Sequence, residues 1–308
     1  MIIQKIKNTL HRLLNPVNPK IWYEYPNPKA VYGGKASLKQ YEESLTLRRD
    51  LYEYEPSDQA KKYSLEIEEN GFVIIPNFLS LEKLEQLKQI VEIKLNKGQD
   101  LLNTDKPQSE LRPNEAFAAI NQPFVTVPEI IEVALDPLIV DITSAYLNCY
   151  SALGTCNLRK SFLNDLPDMT TQIFHVDPNS PRFLKCFIYL DDVTMEGGPF
   201  CYVKGSHRSK FQGWDSKYRW TNEEILSFYG SESARFMVAK KGDLIIADTN
   251  GFHRGVKPTA SERTMLTLDY TCHIEGFEEK NKFLFPKSYF DQLEISKRPL
   301  LDFVSLVD

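Results

Sequence analysis

A chain of 308 residues with 42% hydrophobic content can bury roughly three quarters of its unfolded surface, so disorder is not the expectation. The formal net charge of -5 gives no overall basic field for nucleic acid or an anionic membrane, which leaves a small molecule as the expected partner. No run of about 18 apolar residues is present to span a bilayer, and the five cysteines, Cys149, Cys156, Cys186, Cys201 and Cys272, lack metal or redox spacing and are expected as reduced core thiols of a cytoplasmic monomer or homodimer.

Residues 1–60 are expected to form an N-terminal arm. Ile3, Ile6, Leu10, Leu13 and Leu14 share one helical face, with Lys5, Lys7 and Arg12 elsewhere, and this helix is expected to pack on its own domain or on a dimer mate. The stretch has no continuous apolar h-region and no small-residue cleavage site, so it does not read as a signal peptide. Residues 16–60 carry Pro16, Pro19, Pro26, Pro28 and Gly33-Gly34 among Trp22, Tyr23, Tyr25 and Tyr32, the composition of an irregular segment.

Gly71-Phe72-Val73-Ile74-Ile75-Pro76 predicts a strand ended by a proline that cannot donate to a ladder. Ser80 then caps a helix of about 17 residues, with Leu79 and Leu84 as a hydrophobic staple and Leu84, Leu87, Val91 and Leu95 as its apolar stripe. Further helical patterns cover 129–135 and 137–147, so that 80–150 forms a helical layer.

From Ala152 the texture changes to short strands, at 156–163, 170–175, 183–190, 200–203, 244–247 and 264–272, separated by turns such as Glu196-Gly197-Gly198-Pro199 and Lys241-Gly242-Asp243. The expected fold class is an all-β core, a sandwich or jelly-roll barrel over 152–275, buttressed by helices that precede it. One domain is expected over 61–275, with 276–308 as a C-terminal tail packed upon it.

Phe174-His175-Val176-Asp177 places a His-x-Asp pair at a strand end, where residues two apart share a face. Such a pair arises often by accident. His253 sharpens it, because it follows the apolar run Leu244-Ile245-Ile246-Ala247 and supplies a second imidazole. Two imidazoles and one carboxylate leave three cis positions of an octahedron open, the arrangement of non-haem Fe(II) oxygenases, and a bidentate 2-oxo acid fills two of these with dioxygen in the third. His175, Asp177 and His253 are therefore the candidate metal ligands and catalytic centre.

A 2-oxo dicarboxylic acid such as 2-oxoglutarate also needs a cation for its far carboxylate. Arg263, ten residues after His253, offers a planar fork of matching geometry, and Lys185 is a second candidate for the same anion. His11, His207 and His273 read as structural, His207 as a turn histidine bonded to backbone. Arg182, Lys204, Arg208, Lys210, Lys217 and Arg219 flank the expected mouth and suit either an anionic substrate or a solvated face. The segment from Trp214 to Tyr229 reads as a lid or as a packed aromatic loop. The same three ligands would also suit zinc in a cupin-like enzyme or hydrolase, or a non-catalytic metal-binding module, and Arg263 is the feature that discriminates.

Across about 200 residues the chain resembles the phytanoyl-CoA dioxygenase family of Fe(II)/2-oxoglutarate oxygenases. The resemblance rests on Asn70-Gly71-Phe72-Val73-Ile74-Ile75-Pro76-Asn77-Phe78-Leu79-Ser80, Phe174-His175-Val176-Asp177, Leu190-Asp191-Asp192-Val193, Gly198-Pro199-Phe200 and Lys241-Gly242-Asp243-Leu244. Val203-Lys204-Gly205-Ser206-His207-Arg208 is similar to the family's Pro-Gly-Ser-His-Arg turn, with Lys204 where proline is usual. The resemblance implies a double-stranded β-helix, His253 as the distal iron ligand, Arg263 as the co-substrate arginine, and release of succinate and carbon dioxide. Because Asp177 fills the carboxylate position, it also implies hydroxylation in preference to halogenation.

Overall fold

The structure, a computed structural model, describes residues 35–96, 117–120, 122–165, 167–168, 170–177, 180–273 and 283–308, so the amphipathic N-terminal stretch and His11 lie outside them. Helices come first. α1 spans Lys35–Leu51, where a proline-rich composition predicted an irregular arm, and α2 spans Asp58–Asn70, most of it beyond that arm. The prolines of that segment all precede residue 30 except Pro56, which lies between the two helices and so interrupts neither. Ser57 caps α2 by accepting from the Ala60 amide, and Gly71, at φ +90°, ends it in the left-handed conformation that costs glycine least.

β1 (Phe72–Ile75) follows, then α3 (Leu81–Asn96) with the Lys83 amide donating to the Ser80 hydroxyl as expected of the cap. Leu79 and buried Leu84 join one apolar cluster, as the staple predicts. After β2 (Phe117–Ile120) come short helical turns between Pro123 and Ala134 and then α4 (Pro137–Leu147), capped by the Asp136 carboxylate.

The remaining elements are β3 (Ala152–Ser161), β4 (Phe183–Tyr189), β5 (Phe200–Val203), α5 (Asn222–Tyr229), β6 (Ala234–Phe236), β7 (Leu244–Ala247), β8 (His253–Gly255) and β9 (Arg263–Thr271). They form an antiparallel six-stranded sheet in the order β1-β7-β4-β9-β3-β2 and a three-stranded one in the order β6-β5-β8. The strand expected at 170–175 is not one: Thr170–Gln172 is a 3-10 turn, and only Phe174 and His175 make isolated bridges.

Alternation along the large sheet separates two cores. Leu184, Cys186 and Ile188 of β4, with Leu266 and Leu268 of β9, pack against Leu45, Ile67, Leu84 and Ile139 of the helices. Each such fully buried side chain contributes about 1.5–3 kcal/mol of transfer free energy. The other face turns Phe187, Tyr189, Ile245 and Ala247 toward Phe200 and Tyr202 of the small sheet. The two sheets therefore enclose an interior, and polar residues of that face define the site. The C-terminal segment adds β10 (Phe283–Pro286), α6 (Lys287–Gln292) and β11 (Val304–Val307), with Phe285, Leu300 and Leu301 buried in the helix-side core. All five cysteines are free and buried, and among the described residues no helix is long and apolar enough to cross a membrane.

Candidate metal centre

His175 and His253 are joined by a reciprocal pair of backbone hydrogen bonds, each amide donating to the other's carbonyl at 3.0 Å. Residues exchanging both bonds stand directly opposite each other and project to the same side, so the ring centroids lie 4.3 Å apart. The Asp177 amide donates to the Thr249 carbonyl at 2.9 Å, which draws the carboxylate in beside them. One ligand atom from each of His175, Asp177 and His253 lies within 4.8 Å of the other two. The His-x-Asp pair thus shares a side through bridges to the 249–253 segment, where the spacing alone predicts a regular strand.

Each imidazole is held through Nδ1, 2.8 Å from the Ile173 carbonyl for His175 and 2.9 Å from the Gly251 carbonyl for His253. A carbonyl only accepts, so Nδ1 carries the proton in both rings and the Nε2 lone pairs face the centre. These Nε2 atoms lie 3.7 Å and 3.2 Å from the two Asp177 oxygens. Burial, with His253 alongside, pushes His175 down to about 3. Burial would raise Asp177, but Lys185 and His253 outweigh it and hold the carboxyl well below its ordinary range. A neutral imidazole and an ionised carboxylate are the forms a divalent cation requires.

Lys185 and Arg263 take up different positions on the interior face. Lys185 Nζ is 2.8 Å from Asp177 Oδ2 and 3.9 Å from Asp269 Oδ2. Burial lowers its pKa and the two carboxylates more than restore it. Arg263 is buried, its Nη2 is 3.5 Å from the Ser161 hydroxyl, and its Nε and Nη1 have no hydrogen-bond partner. A Cβ at Gly255 would lie 3.6 Å from Arg263 Nη2, an ordinary van der Waals contact.

The sequence reading overlooked Asp269 and Arg159. Their signal was available: Asn157, Arg159 and Ser161 on β3, and Arg263, Thr267 and Asp269 on β9, recur at every second position, the period of one strand face.

Other predicted candidates turn out structural. His207 Nε2 lies 3.1 Å from the Glu68 carbonyl, and His273 pairs with the Ser44 hydroxyl at 2.9 Å. Arg182 is buried in an ion pair with Glu68, Arg208 donates to the Glu68 carbonyl, and Lys210 donates to the Asn250 carbonyl. Lys217 pairs with Glu224. Trp214 is fully buried, and Trp220 packs edge-on against Phe211, so the 214–229 segment is a packed aromatic layer.

Antiparallel sheets backed by helices, with two imidazoles and a carboxylate converging between them, define a β-core protein with a two-histidine, one-carboxylate candidate centre. A family model for phytanoyl-CoA dioxygenase matches residues 67–264, and the chain belongs to that family. Similar solved structures include the epimerase SnoN in complex with Fe3+, alpha ketoglutarate and nogalamycin RO, 14% identical at a TM-score of 0.54 over 69% of this chain and 83% of that one. EctD from S. alaskensis with bound Fe is 17% identical at a TM-score of 0.55 over 75% and 82% of the two chains. HygX from Streptomyces hygroscopicus with nickel and 2-oxoglutarate bound is 15% identical at a TM-score of 0.51 over 68% and 86%. No curated protein sequence matches the chain significantly.

Proposed function

We propose that the chain is an Fe(II)- and 2-oxoglutarate-dependent dioxygenase that hydroxylates a small molecule. The observation that carries this reading is the pairing of a three-ligand group with a buried arginine whose Nε and Nη1 lack partners. A buried guanidinium that meets only the hydroxyls of Ser161 and Tyr189, with donors left over and no carboxylate beside it among the described residues, is costly, and it makes sense where a dicarboxylate arrives to occupy it. When bound, iron and 2-oxoglutarate would supply dioxygen activation, with release of succinate and carbon dioxide.

The protein's own residues bind, orient and exclude water. His175 Nε2, Asp177 and His253 Nε2 would hold the metal, their orientation fixed by the two Nδ1 bonds to backbone. Arg263 would take the far carboxylate of the co-substrate. Lys185, at the Asp177 end of the same face, would stand beside its chelating end. Asp177 occupies the carboxylate position, which favours hydroxylation. SnoN and HygX, solved with 2-oxoglutarate and a metal, support the pairing of ligands. A zinc hydrolase or a non-catalytic module would use the same three ligands but has no need of Arg263.

In this reading the two sheets are the faces of a double-stranded β-helix within one domain over 61–275, and 276–308 is its packed tail. The five unpaired cysteines support a reducing, cytoplasmic setting. The test is succinate formation by purified protein supplied with Fe(II), 2-oxoglutarate and oxygen, without any further substrate. Slow conversion by the wild type and none by Asp177→Ala is the expected result; equal rates in the two would defeat the assignment.

A further inference from the structure

The interior face of the large sheet holds more positive charge than the proposed cofactors neutralise. Arg159 lies on β3 opposite Met265, two residues from Ser161, which is itself opposite Arg263. It alternates with Leu158, which belongs to the helix-side core, so Arg159 turns toward the interior. Its guanidinium carbon stands 4.6 Å from the centroid of the Phe117 ring, and its Nε is buried without a hydrogen-bond partner. Among the described residues no carboxylate pairs with either Arg159 or Arg263. Burial and the proximity of Arg263 both lower the pKa of Arg159.

The balance of charge identifies what is missing. Among the described residues Arg159, Lys185 and Arg263 lie on this face and Arg219 acts on Asp177 from the mouth, four cations against the carboxylates of Asp177 and Asp269, so four minus two leaves two positive charges. Fe(II) adds two positive charges and 2-oxoglutarate two negative ones, which leaves that excess unchanged. Arg254 lies on the alternate face of β8 from His253, where it and Lys257 share Asp168, and does not enter the sum. A carboxylate has two oxygens, and the free Nε and Nη1 of Arg263 satisfy both. Arg159 is then left with a buried donor, an aromatic platform and, among the described residues, no counter-ion.

We propose that Arg159 is the receptor for an anionic group, a carboxylate or a phosphate, on the primary substrate. The inference rests on the oxygenase reading for its co-substrate but makes a separate claim about substrate class. Phe117 carries the guanidinium over its ring face.

Hexyl phosphate, hexanoate and hexan-1-ol share a chain and differ in charge. They are titrated calorimetrically into protein loaded anaerobically with Fe(II) and 2-oxoglutarate. The expected result is that one of the two anions binds at least about tenfold more tightly than the alcohol, and that Arg159→Met removes this preference while Arg159→Lys keeps part of it. Arg263→Met is expected to weaken 2-oxoglutarate instead. No preference for anions in the wild type, a preference that survives Arg159→Met, or a loss of 2-oxoglutarate affinity in Arg159→Met equal to that in Arg263→Met would each overturn the proposal. Should the wild type make no succinate yet keep an Arg159-dependent preference for anions, the oxygenase reading falls and the receptor stands.

Discussion

Lys185 Nζ sits 2.8 Å from Asp177 Oδ2, so the carboxylate of the candidate metal group already has a buried cation of its own. Lys185 is anchored in turn near Asp269, which faces it across the β4–β9 ladder. Lys185→Met removes the main influence that holds the Asp177 carboxyl below its ordinary range, and burial then pushes it upward. Protons would compete with metal at higher pH. Fe(II) titrations at pH 5.5 and 7.5 should show Lys185→Met losing about tenfold in affinity at the acidic pH relative to wild type, with little loss at the neutral one. A pH-independent change would contradict this account.

Arg263 makes a prediction about stability as well as binding. Its buried Nε and Nη1 lack partners, and a buried charge without a counter-ion carries a desolvation cost that an apolar side chain of similar volume removes. Arg263→Met should therefore melt at or above the wild-type temperature without co-substrate. The wild type should gain stability with added 2-oxoglutarate by mass action and the variant should not. Its KM for 2-oxoglutarate should rise roughly a hundredfold, the usual scale for losing one member of a buried charge pair. Thermal melts with and without 2-oxoglutarate check the first part, and initial rates the second.

How much of this was legible in the sequence depends on range. Ser80, Leu84 and Leu87 marked their helix because caps and stripes are local, and the strands around Val73, Ile188 and Ile246 announced themselves as apolar runs. Helices α1 and α2 were obscured by the prolines preceding residue 30 and by the narrowness of their apolar faces, Tyr41 and Leu45 in one and Ala60 and Ile67 in the other. His175 and Asp177 could be read as a pair, but the cause of their convergence with His253, a reciprocal backbone bridge, is a contact between residues 78 positions apart, from 253 − 175. Lys185 was legible as a cation and not as the partner of Asp177, because the register between β4 and β9 that brings Asp269 beside it follows from tertiary pairing.

His207 should tune stability with pH. Burial pushes it down to about 3 from an ordinary 6.5, and as a neutral ring it donates to the Glu68 carbonyl. The unfolded chain takes up a proton near pH 6.5 and the folded one does not until about 3, so this stability is complete above pH 6.5 and is lost as pH falls toward 3. At pH 5 the loss is about 2 kcal/mol. His175 is pushed down similarly, so the measurement is made on metal-loaded protein, where that ring is engaged. Denaturant unfolding at pH 7 and pH 5 should show His207→Gln, which retains a donor, losing less stability between the two than wild type. Equal losses would remove His207 as the cause.

Gly251 links the second histidine to the core. Its carbonyl accepts from His253 Nδ1 at 2.9 Å, and its amide donates to the Asp248 carbonyl. A Cβ there would lie 1.9 Å from the Tyr202 hydroxyl oxygen, which itself donates to the Asp248 carbonyl at 2.8 Å. Tyr202 is fully buried, and protein interiors are close-packed, so the ring cannot retreat without moving its neighbours. Gly251→Ala must therefore displace the 248–253 turn, with it the carbonyl that fixes the tautomer and aim of His253. The expected cost is more than about 2 kcal/mol of stability and at least about tenfold in Fe(II) affinity. Tyr202→Ala removes the obstructing ring, so Gly251→Ala should cost less in that background than alone, a non-additivity measured by a double-mutant cycle in denaturant. Strictly additive effects would show that contact with Tyr202 is not what excludes a side chain at position 251.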